Sequence, residues 1–341
     1  MMTIDTNDKP LITMTLLAYN HERFIKEAIE GAFSQTYAPL EIILSDDCSS
    51  DRTFPIISEM AEAYRGPHVI ILNRNRQNLG IGAHINRVME LARGELIVGA
   101  AGDDISIPGR VERIYQVYKS SKGFAKSIFS NYFVINEGGN LQGIQFDSSK
   151  KREEFLLEII VKRDFLVSGC SHAWTREIFD VFGPLMTPLT SEDMVIPFRS
   201  ALLGGIEYIH EPLVKYRHHE NNISLTHKNI EKVIKHTIMA TFDWKAIYEN
   251  WLKDLETMSN LFPKRETEMR HLRNIVIRRL SSAEDDIYII NNNWLKRVIM
   301  LAKKILKGED LKGIRHKIGV FLIPGVYRKC FNLKNRITNQ K

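Results

Sequence analysis

Three short acidic clusters in this 341-residue chain have the residue types and spacing to do chemistry. They are Asp46-Asp47, Asp103-Asp104 and Glu192-Asp193. Adjacent carboxylates repel each other unless a cation neutralises them, and oxygen ligands suit a hard ion such as Mg²⁺ or Mn²⁺. The pair Asp103-Asp104 follows an apolar run and three small residues, so it is a candidate site for a divalent cation. The alternative is a turn, or a cap of the helix that starts near Pro108.

The other two clusters each have a chemical and a structural interpretation. Asp46 and Asp47 follow the strand-like run LEIIL, where a carboxylate can accept hydrogen bonds from a nucleobase imide or from ribose hydroxyls. The same carboxylates followed by two serines can simply form an Asx turn. Asp193 precedes an apolar helical run, so it can act as a general base or cap that helix.

A fourth polar segment, residues 216–224, follows the strand-like residues 213–215. Arg217 and His219 are two residues apart, so in an extended strand their side chains share one face. Two hydrogen-bond donors on one face could reach the same phosphate group.

The N-terminal half contains the elements that must position these clusters. Apolar runs alternate with segments of helical periodicity. The predicted strands are 11–18, 40–44, 68–72 and 95–99, and the predicted helices between them are 22–34, 53–64 and 82–92. This alternation predicts parallel strands with right-handed crossovers, and such sheets bind ligands beyond the carboxyl ends of the strands. We therefore expect the strand-end carboxylates to converge on one edge.

The second half of the chain has a mixed pattern followed by a helical one. It predicts a helix at 110–120, strands near 126–135 and 141–146, and a segment of small residues, 168–171, that suits a closely packed site wall. From about residue 228 the pattern is helical, with long runs at 228–257 and 264–283. We place a domain boundary near 225, which predicts an α/β domain at 1–225 and a mostly helical region at 226–341.

Composition and motifs exclude several classes of protein. A hydrophobic content of 44% with 26% charged residues is that of a folded chain rather than a disordered one. Three scattered cysteines provide neither a zinc ribbon nor a disulfide framework and favour a reducing compartment. No apolar leader or membrane span is visible, so we expect a cytoplasmic protein. A P-loop, an HExxH motif and a GxSxG elbow are all missing, and the Gly80–Gly82 segment lacks the third glycine of a dinucleotide fingerprint.

The C-terminal residues hold most of the basic charge. Residues 294–341 contain 13 Lys and Arg against two acidic residues, whereas the net charge of the whole chain is +6. In the segment that we call the basic tail, about 294–336, basic and apolar residues interleave as in amphipathic helices on anionic membrane surfaces. The alternative is a solvated basic face on a helical packing domain. Nucleic acid is not expected as a partner.

Taken in order, the motifs of residues 10–225 resemble the family 2 glycosyltransferases. The likeness lies in TLLAYNHE at 15–22, SQTY at 34–37, LEIILSDDCSSD at 40–51, NLG at 78–80, ARGE at 92–95, GDD at 102–104, SED at 191–193 and YRHH at 216–219. The resemblance implies the GT-A fold, an α/β fold with a Rossmann-like mixed sheet flanked by helices, here followed by a mostly α-helical C-terminal region.

The resemblance also implies residue roles. Asp47 would contact the nucleotide base, with Ala18, Asn20 and Asp46 nearby, and Asp103 would face the ribose or sugar. Asp104 would ligate a Mn²⁺ or Mg²⁺ ion that bridges the diphosphate, although Gly-Asp-Asp stands here where the family commonly has Asp-x-Asp. Asp193 would be the catalytic base, and Arg217 and His219 would lie near the diphosphate.

The function implied is metal-dependent, inverting transfer of a sugar from a nucleotide sugar to a hydroxyl of a saccharide or lipid-linked acceptor, in surface polysaccharide biosynthesis. The basic tail would hold the protein at the inner face of the plasma membrane. One alternative is a non-catalytic nucleotide-sugar-binding subunit. Another is a sugar nucleotidyltransferase, although such enzymes have an N-terminal glycine-rich loop and residues 11–25 contain no glycine. The donor sugar, the acceptor and the oligomeric state are not defined by these motifs.

Overall fold

The structure is a computed structural model, and it describes residues 9–145, 157, 167–220, 222 and 230–291. The chain divides into two compact units. The first takes residues up to 222 together with 250–272, and the second takes 223–249 and the residues from 273 on. The basic tail lies outside the described residues, and so do residues 146–156 and 158–166.

The first four strands are parallel and are joined by helices. They comprise β1 (Ile12–Ala18), α1 (Ile25–Phe33), β2 (Leu40–Asp46), α2 (Thr53–Ala63), β3 (Val69–Arg74), α3 (Ile81–Leu91) and β4 (Leu96–Ala101). The strands lie in the order β3-β2-β1-β4. Apolar run length and helical period thus located each of these elements to within a few residues, and the predicted α/β class is confirmed.

The second half of the sheet is mixed. It adds β5 (Ile105–Ser106), α4 (Arg110–Ser120), β6 (Ala125–Ile135), β7 (Leu141–Gln145), β8 (Ala173–Thr175), α5 (Glu177–Phe182), α6 (Glu192–Leu203) and β9 (Gly205–Arg217). The order continues from β4 through β8, β6 and β9 to β5, and β7 pairs with β6. Strands β4 and β8 are antiparallel, whereas β6 and β9 are parallel.

Strand β9 is much longer than its hydrophobic pattern indicates. The sequence predicted only residues 213–215 as strand-like, but β9 has 13 residues. Its pairing with β6 shifts register between Ile209 and Pro212, which face Ser130 and Asn131. Because a bulge interrupts the alternation of inward and outward side chains, the two-residue period that identifies a strand is lost there.

Two long helices follow the sheet. They are α7 (Ile230–Leu261) and α8 (Glu266–Asn291), separated by a short 3₁₀ turn at Pro263–Arg265. Across the part of the chain that the structure describes, no helix combines the length and the apolar character needed to cross a bilayer.

The main core lies between the parallel strands and helices α1 and α4. Ile12, Met14 and Leu16 of β1 are completely buried, and they pack with Ile25 and Ile29 of α1. Burying a side chain of this size contributes about 1.5–3 kcal/mol to stability. Burial of these apolar side chains therefore fixes the position of β1, and with it the position of the polar residues that follow its carboxyl end.

A buried ion pair within the first unit joins α6 to the α7 segment after residue 249. Arg199 Nε donates to Asp254 Oδ2 at 2.9 Å, and both side chains are fully buried. Arg199 Nη1 also donates to the carbonyl oxygen of Gly183 at 2.7 Å. Burial raises the pKa of Asp254 to about 6, although the adjacent Arg199 acts to lower it. The two charges therefore depend on each other, because removing one leaves the other buried without a counterion.

We expect Arg199→Met to lower the free energy of unfolding by about 3–5 kcal/mol, since it leaves the Asp254 carboxyl buried and unpaired. The double variant Arg199→Met/Asp254→Leu should regain most of that loss. Denaturant unfolding measures both, and Arg113→Met is the control because Arg113 pairs with Glu211 at an exposed position. An exposed pair contributes about 0–1 kcal/mol. Equal losses for Arg199→Met and Arg113→Met would contradict the expectation.

Candidate functional site

The carboxyl ends of β1, β2 and β4 meet at one edge of the sheet. In the strand register Ala18 lies opposite Asp46, and Leu17 lies opposite Ala101. Backbone hydrogen bonds continue this alignment past the strands, because Asp47 N donates to the Ala18 carbonyl oxygen and Gly102 N donates to that of Leu17. We call Ala18, Asp46, Asp47, Asp103 and Asp104 the carboxylate edge. The polar residues that follow these strands thus lie along one edge of the sheet, as the alternating pattern predicts.

Asp46 and Asp47 differ in how their oxygens are used. The carboxylate of Asp47 accepts hydrogen bonds from Asn75 Nδ2 and from the backbone N–H groups of Leu79 and Gly80, at 2.8–2.9 Å. Asp46 Oδ2 accepts from Ser49 N, but Asp46 Oδ1 is buried without a hydrogen-bond partner in the described residues. Because an unsatisfied buried acceptor is costly, Asp46 Oδ1 is a position where a ligand donor would be favourable.

The loop after β1 is tied to the loop after β2. Asn20 has φ of +56°, a left-handed conformation that asparagine tolerates better than most residues. Its N–H donates to Ser49 Oγ, and its Oδ1 accepts from Ser50 N, at 2.8 and 2.9 Å. These bonds hold Asn20 beside Asp46 and Asp47, so the structure brings these three predicted residues together.

Asp103 is held by two histidines. Its Oδ2 lies 2.9 Å from His219 Nε2 and 3.8 Å from His21 Nε2. Burial acts to raise the pKa of Asp103, but the hydrogen bond with His219 and the two imidazoles outweigh it, so that the pKa lies below its usual value. Asp103 is therefore a stable carboxylate in the folded protein.

Asp104 has the opposite electrostatic situation. Its Oδ1 accepts the backbone N–H of Arg217 at 2.9 Å, and within the described residues its other oxygen makes no hydrogen bond. Burial, together with the neighbouring charge of Asp103, raises the pKa of Asp104 well above its usual value. A cation beside Asp104 would relieve this destabilisation of the ionised form.

Arg217 supports both aspartates from the end of β9. Its guanidinium is fully buried and donates to the carbonyl oxygens of Asp103 and Glu137 and to the Glu27 carboxylate, at 2.9–3.0 Å. The guanidinium also lies 4.9 Å from the ring centroid of Phe24. That Arg217 and His219 bind a diphosphate stays a prediction. In this structure, both residues position Asp103.

Asp193 lies in the first turn of α6, against the 3₁₀ turn at Gly169–Ser171. A Cβ atom at Gly169 would lie 3.2 Å from Glu192 Oε1 and 3.6 Å from Asp193 Oδ2. Burial raises the pKa of the Cys170 thiol, and the carboxylates of Asp104 and Asp193 act in the same direction. The turn thus has Asp193 on one side and is within electrostatic reach of Asp104.

Two residues of the site were not identified from the sequence. Arg110 is completely buried with its Nε unpartnered in the described residues, and its charge acts on Asp104 and Cys170. Burial lowers the pKa of Arg110 to about 10. Glu27 binds Arg217 from α1. The only signal for Arg110 was its place on the helical face that also carries Val111 and Ile114, where an apolar residue is expected.

The carboxylate edge fits a divalent cation held by few protein ligands. The described ranges contain no group of three or more His, Cys, Asp or Glu side chains arranged to hold a metal ion. Mg²⁺ and related ions are often bound by one or two carboxylates, with the remaining ligands from water and substrate phosphates. One oxygen of Asp104 makes no hydrogen bond to any described residue, so Asp104 meets that requirement.

Comparisons with known proteins agree with this architecture. Residues 15–174 match the family model described as Glycosyl transferase family 2. An uncharacterized glycosyltransferase of Methanocaldococcus jannaschii is 32% identical over 136 residues, which are 39% of this chain and 46% of that protein. An uncharacterized glycosyltransferase of Rickettsia typhi is 22% identical over 260 residues, 76% of each chain.

Among solved structures, a mannosyltransferase from Pyrobaculum calidifontis in complex with GDP-Man and Mn²⁺ is similar with a TM-score of 0.50. The match is 14% identical and covers 96% of this chain and 89% of that one, so it shows a shared fold. The chain spans 46% of the archaeal relative and 60% of an uncharacterized protein of Mycobacterium bovis.

We expect Asp104→Asn to raise the free energy of unfolding at neutral pH in the presence of chelator, by about 1 kcal/mol. The wild-type carboxyl holds its proton to a higher pH when folded than when unfolded, so the wild type loses stability as pH rises above about 4. The advantage of the variant should therefore grow with pH.

Asp103→Asn is the matched control, because the pKa of Asp103 is lowered and its ionised form stabilises the fold. That variant should lose stability at neutral pH. Thermal unfolding across a pH series measures both, and equal shifts of the same sign would contradict the assignment.

Proposed function

We propose that this protein is an inverting, metal-dependent glycosyltransferase, because residues 15–174 match the family model described as Glycosyl transferase family 2 and the described chain has the GT-A fold. It moves a sugar from a nucleotide-diphosphate sugar to a hydroxyl of a saccharide or lipid-linked acceptor in surface polysaccharide biosynthesis. The observation that carries the proposal is the pair Asp103-Asp104 at the strand ends, together with Asp193 beside the turn at Gly169–Ser171. Asp104 would hold the cation for the leaving diphosphate, and Asp193 accepts the proton of the acceptor hydroxyl.

The donor lies along the carboxylate edge. Asp46, whose Oδ1 has no hydrogen-bond partner among the described residues, accepts a hydrogen bond from the nucleotide, and Asp47, Ala18 and Asn20 form the same wall. Asp103, kept ionised beside His219, faces the ribose or sugar hydroxyls. Fixed carboxylate acceptors suit these groups because imides and hydroxyls are hydrogen-bond donors. The GDP-Man complex of the mannosyltransferase with the same fold supports this class of donor.

Asp104 is the residue that would hold the divalent cation, Mn²⁺ or Mg²⁺. When bound, the cation supplies positive charge to the diphosphate as it leaves the anomeric carbon. The chain's own contribution is to present the Asp104 carboxylate, which the backbone N–H of Arg217 orients through Oδ1. The Mn²⁺ complex of the mannosyltransferase supports the use of a cation of this type.

Asp193 acts as the general base. It accepts the proton of the acceptor hydroxyl while that oxygen forms its bond to the anomeric carbon. The bond from the anomeric carbon to the phosphate oxygen breaks, and the electron pair leaves with the nucleoside diphosphate. A base on the face opposite the leaving group permits a single in-line displacement, so the anomeric configuration inverts.

A donor panel tests the proposal directly. We expect the purified full chain to release nucleoside diphosphate from one nucleotide sugar when Mn²⁺ and acceptor are present, and to lose that activity in excess chelator. Asp104→Asn should be inactive under the same conditions, because its amide binds a divalent cation poorly. Binding of a donor without turnover under any condition would favour a non-catalytic subunit and would contradict the proposed transfer.

We expect Asp193→Asn to lower the transfer rate by about 10²–10⁴-fold, since the amide cannot accept the proton. Donor affinity should change little, because the carboxylate edge is untouched. Steady-state kinetics with calorimetry of donor binding measure the two effects, with Asp180→Asn as a control on α5, where Asp180 pairs with Arg176. Normal turnover with lost donor binding would make Asp193 a binding residue instead.

We also propose that the basic tail binds the anionic surface of the inner leaflet, where each basic residue contributes about 1 kcal/mol. The full chain should float with anionic liposomes at low salt and dissociate at high salt. Neutralising Lys303, Lys304 and Lys307 to Gln should weaken flotation. The control neutralises three exposed lysines of the described chain, Lys119, Lys122 and Lys253. Equal flotation of the two triple variants would contradict a role for the tail.

A further inference from the structure

The segment 185–189, directly before the helix that carries Asp193, is held by two asparagine side chains. Asn86 Oδ1 accepts the N–H of Leu185 at 2.8 Å, and Asn86 Nδ2 donates to the Leu185 carbonyl oxygen at 2.9 Å. Asn250 makes the same pair of hydrogen bonds with the next residue, Met186. Its Oδ1 accepts the N–H of Met186 at 2.8 Å, and its Nδ2 donates to the Met186 carbonyl oxygen at 3.1 Å.

Four hydrogen bonds thus fix the backbone of two consecutive residues. A carboxamide is suited to this task because it presents one acceptor and one donor side by side, matching the N–H and C=O of one residue. Aspartate would accept from the N–H but could not donate to the carbonyl oxygen. The two asparagines come from different elements, since Asn86 is in α3 and Asn250 is in the part of α7 that belongs to the first unit.

The backbone is also held by hydrogen bonds at Leu189, before Asp193, and at Met194, after it. Gly82 N donates to the Leu189 carbonyl oxygen at 3.0 Å, and a Cβ atom at Gly82 would lie only 3.0 Å from that oxygen. Beyond Asp193, Trp251 Nε1 donates to the Met194 carbonyl oxygen at 3.1 Å. The ring of Trp251 also stacks on Phe198 of α6 at a centroid distance of 4.8 Å.

Asp193 lies between these fixed points, seven residues after Met186 and one before Met194. Asn250 is completely buried, so its bonds to Met186 are shielded from water. Hydrogen bonds of this kind hold a backbone in one conformation, because breaking one leaves a buried polar group without a partner. The backbone before and after Asp193 is therefore held by residues of α3 and α7.

We propose that Asn86 and Asn250 are positioning residues for Asp193, an inference that rests on the proposed role of Asp193 as the base. Their function is to keep its carboxylate within reach of the acceptor hydroxyl. A displacement of about 1 Å in a catalytic group can cost about 10²-fold in rate. The asparagines should therefore affect the chemical step and leave donor binding unchanged.

The test uses two full-length variants. Asn86→Asp has the same shape but loses the bond to the Leu185 carbonyl oxygen, and Asn250→Ser removes the paired contact without burying a charge. Each should lower kcat about 10–10²-fold and change KM for the donor less than about twofold. Asn274→Asp, an exposed substitution in α8, is the control and should change neither. Assays well below each melting temperature keep the variants folded.

If the two asparagines only stabilise the fold, the substitutions should lower the melting temperature without lowering kcat at nearly constant KM, and that result overturns the proposal. If Asn250→Ser does not fold, Asn86→Asp decides alone, because Asn86 is only half-buried.

A second measurement combines Asn86→Asp with Asp193→Asn. If Asn86 acts through Asp193, its substitution should have little further effect once the base is gone. Multiplicative losses would overturn the positioning role and leave the base intact. Full activity of Asp193→Asn alone would instead show that the proposed function of Asp193 is wrong, so the two failures are distinguishable.

Discussion

The hydrogen bonds of Arg217 hold Asp103 and Asp104, the two residues of the carboxylate edge that follow β4. A fully buried guanidinium joins the carbonyl oxygens of Asp103 and Glu137 to the carboxylate of Glu27, while the backbone N–H of the same residue holds Asp104. One residue at the end of β9 thus orients two consecutive aspartates that follow β4. The parallel sheet brings the ends of β1, β2 and β4 together, and Arg217 holds the two aspartates that follow β4.

Electrostatics then separates the two aspartates. Asp103 faces two imidazoles and its pKa is lowered, whereas Asp104 is buried beside Asp103 and its pKa is raised. Adjacent residues in the chain therefore have opposite tendencies to ionise, because Asp103 is hydrogen-bonded to an imidazole whereas Asp104 has a like charge next to it. This contrast suits a site where one carboxylate meets hydroxyl groups and the other meets a cation.

The elements of the first half are predictable from the sequence because each has a clear hydrophobic period. The four strands and three helices up to residue 101 differ from their predicted bounds by a few residues. The contacts of Arg217 are not predictable in this way, since Glu27 and Glu137 come together with it only through the fold. Arg110 was missed for a related reason, because a buried arginine on an amphipathic helix has no signature that separates it from an exposed one. The roles assigned to Asp47, Asp193 and His219 depend on the family resemblance and stay predictions.

The membership of residues 250–272 in the first unit has a consequence for synthesis of the chain. Arg199 is translated 55 residues before its buried counterion Asp254, and the peptide groups of Met186 precede Asn250 by 64 residues. Contacts so distant in sequence close late, because the entropy of a long loop must be overcome first. On the ribosome, the first unit is still incomplete when its sheet has emerged, because residues 250–272 are synthesised later. Until Asp254 has left the exit tunnel, Arg199 on the helix of Asp193 lacks its buried counterion.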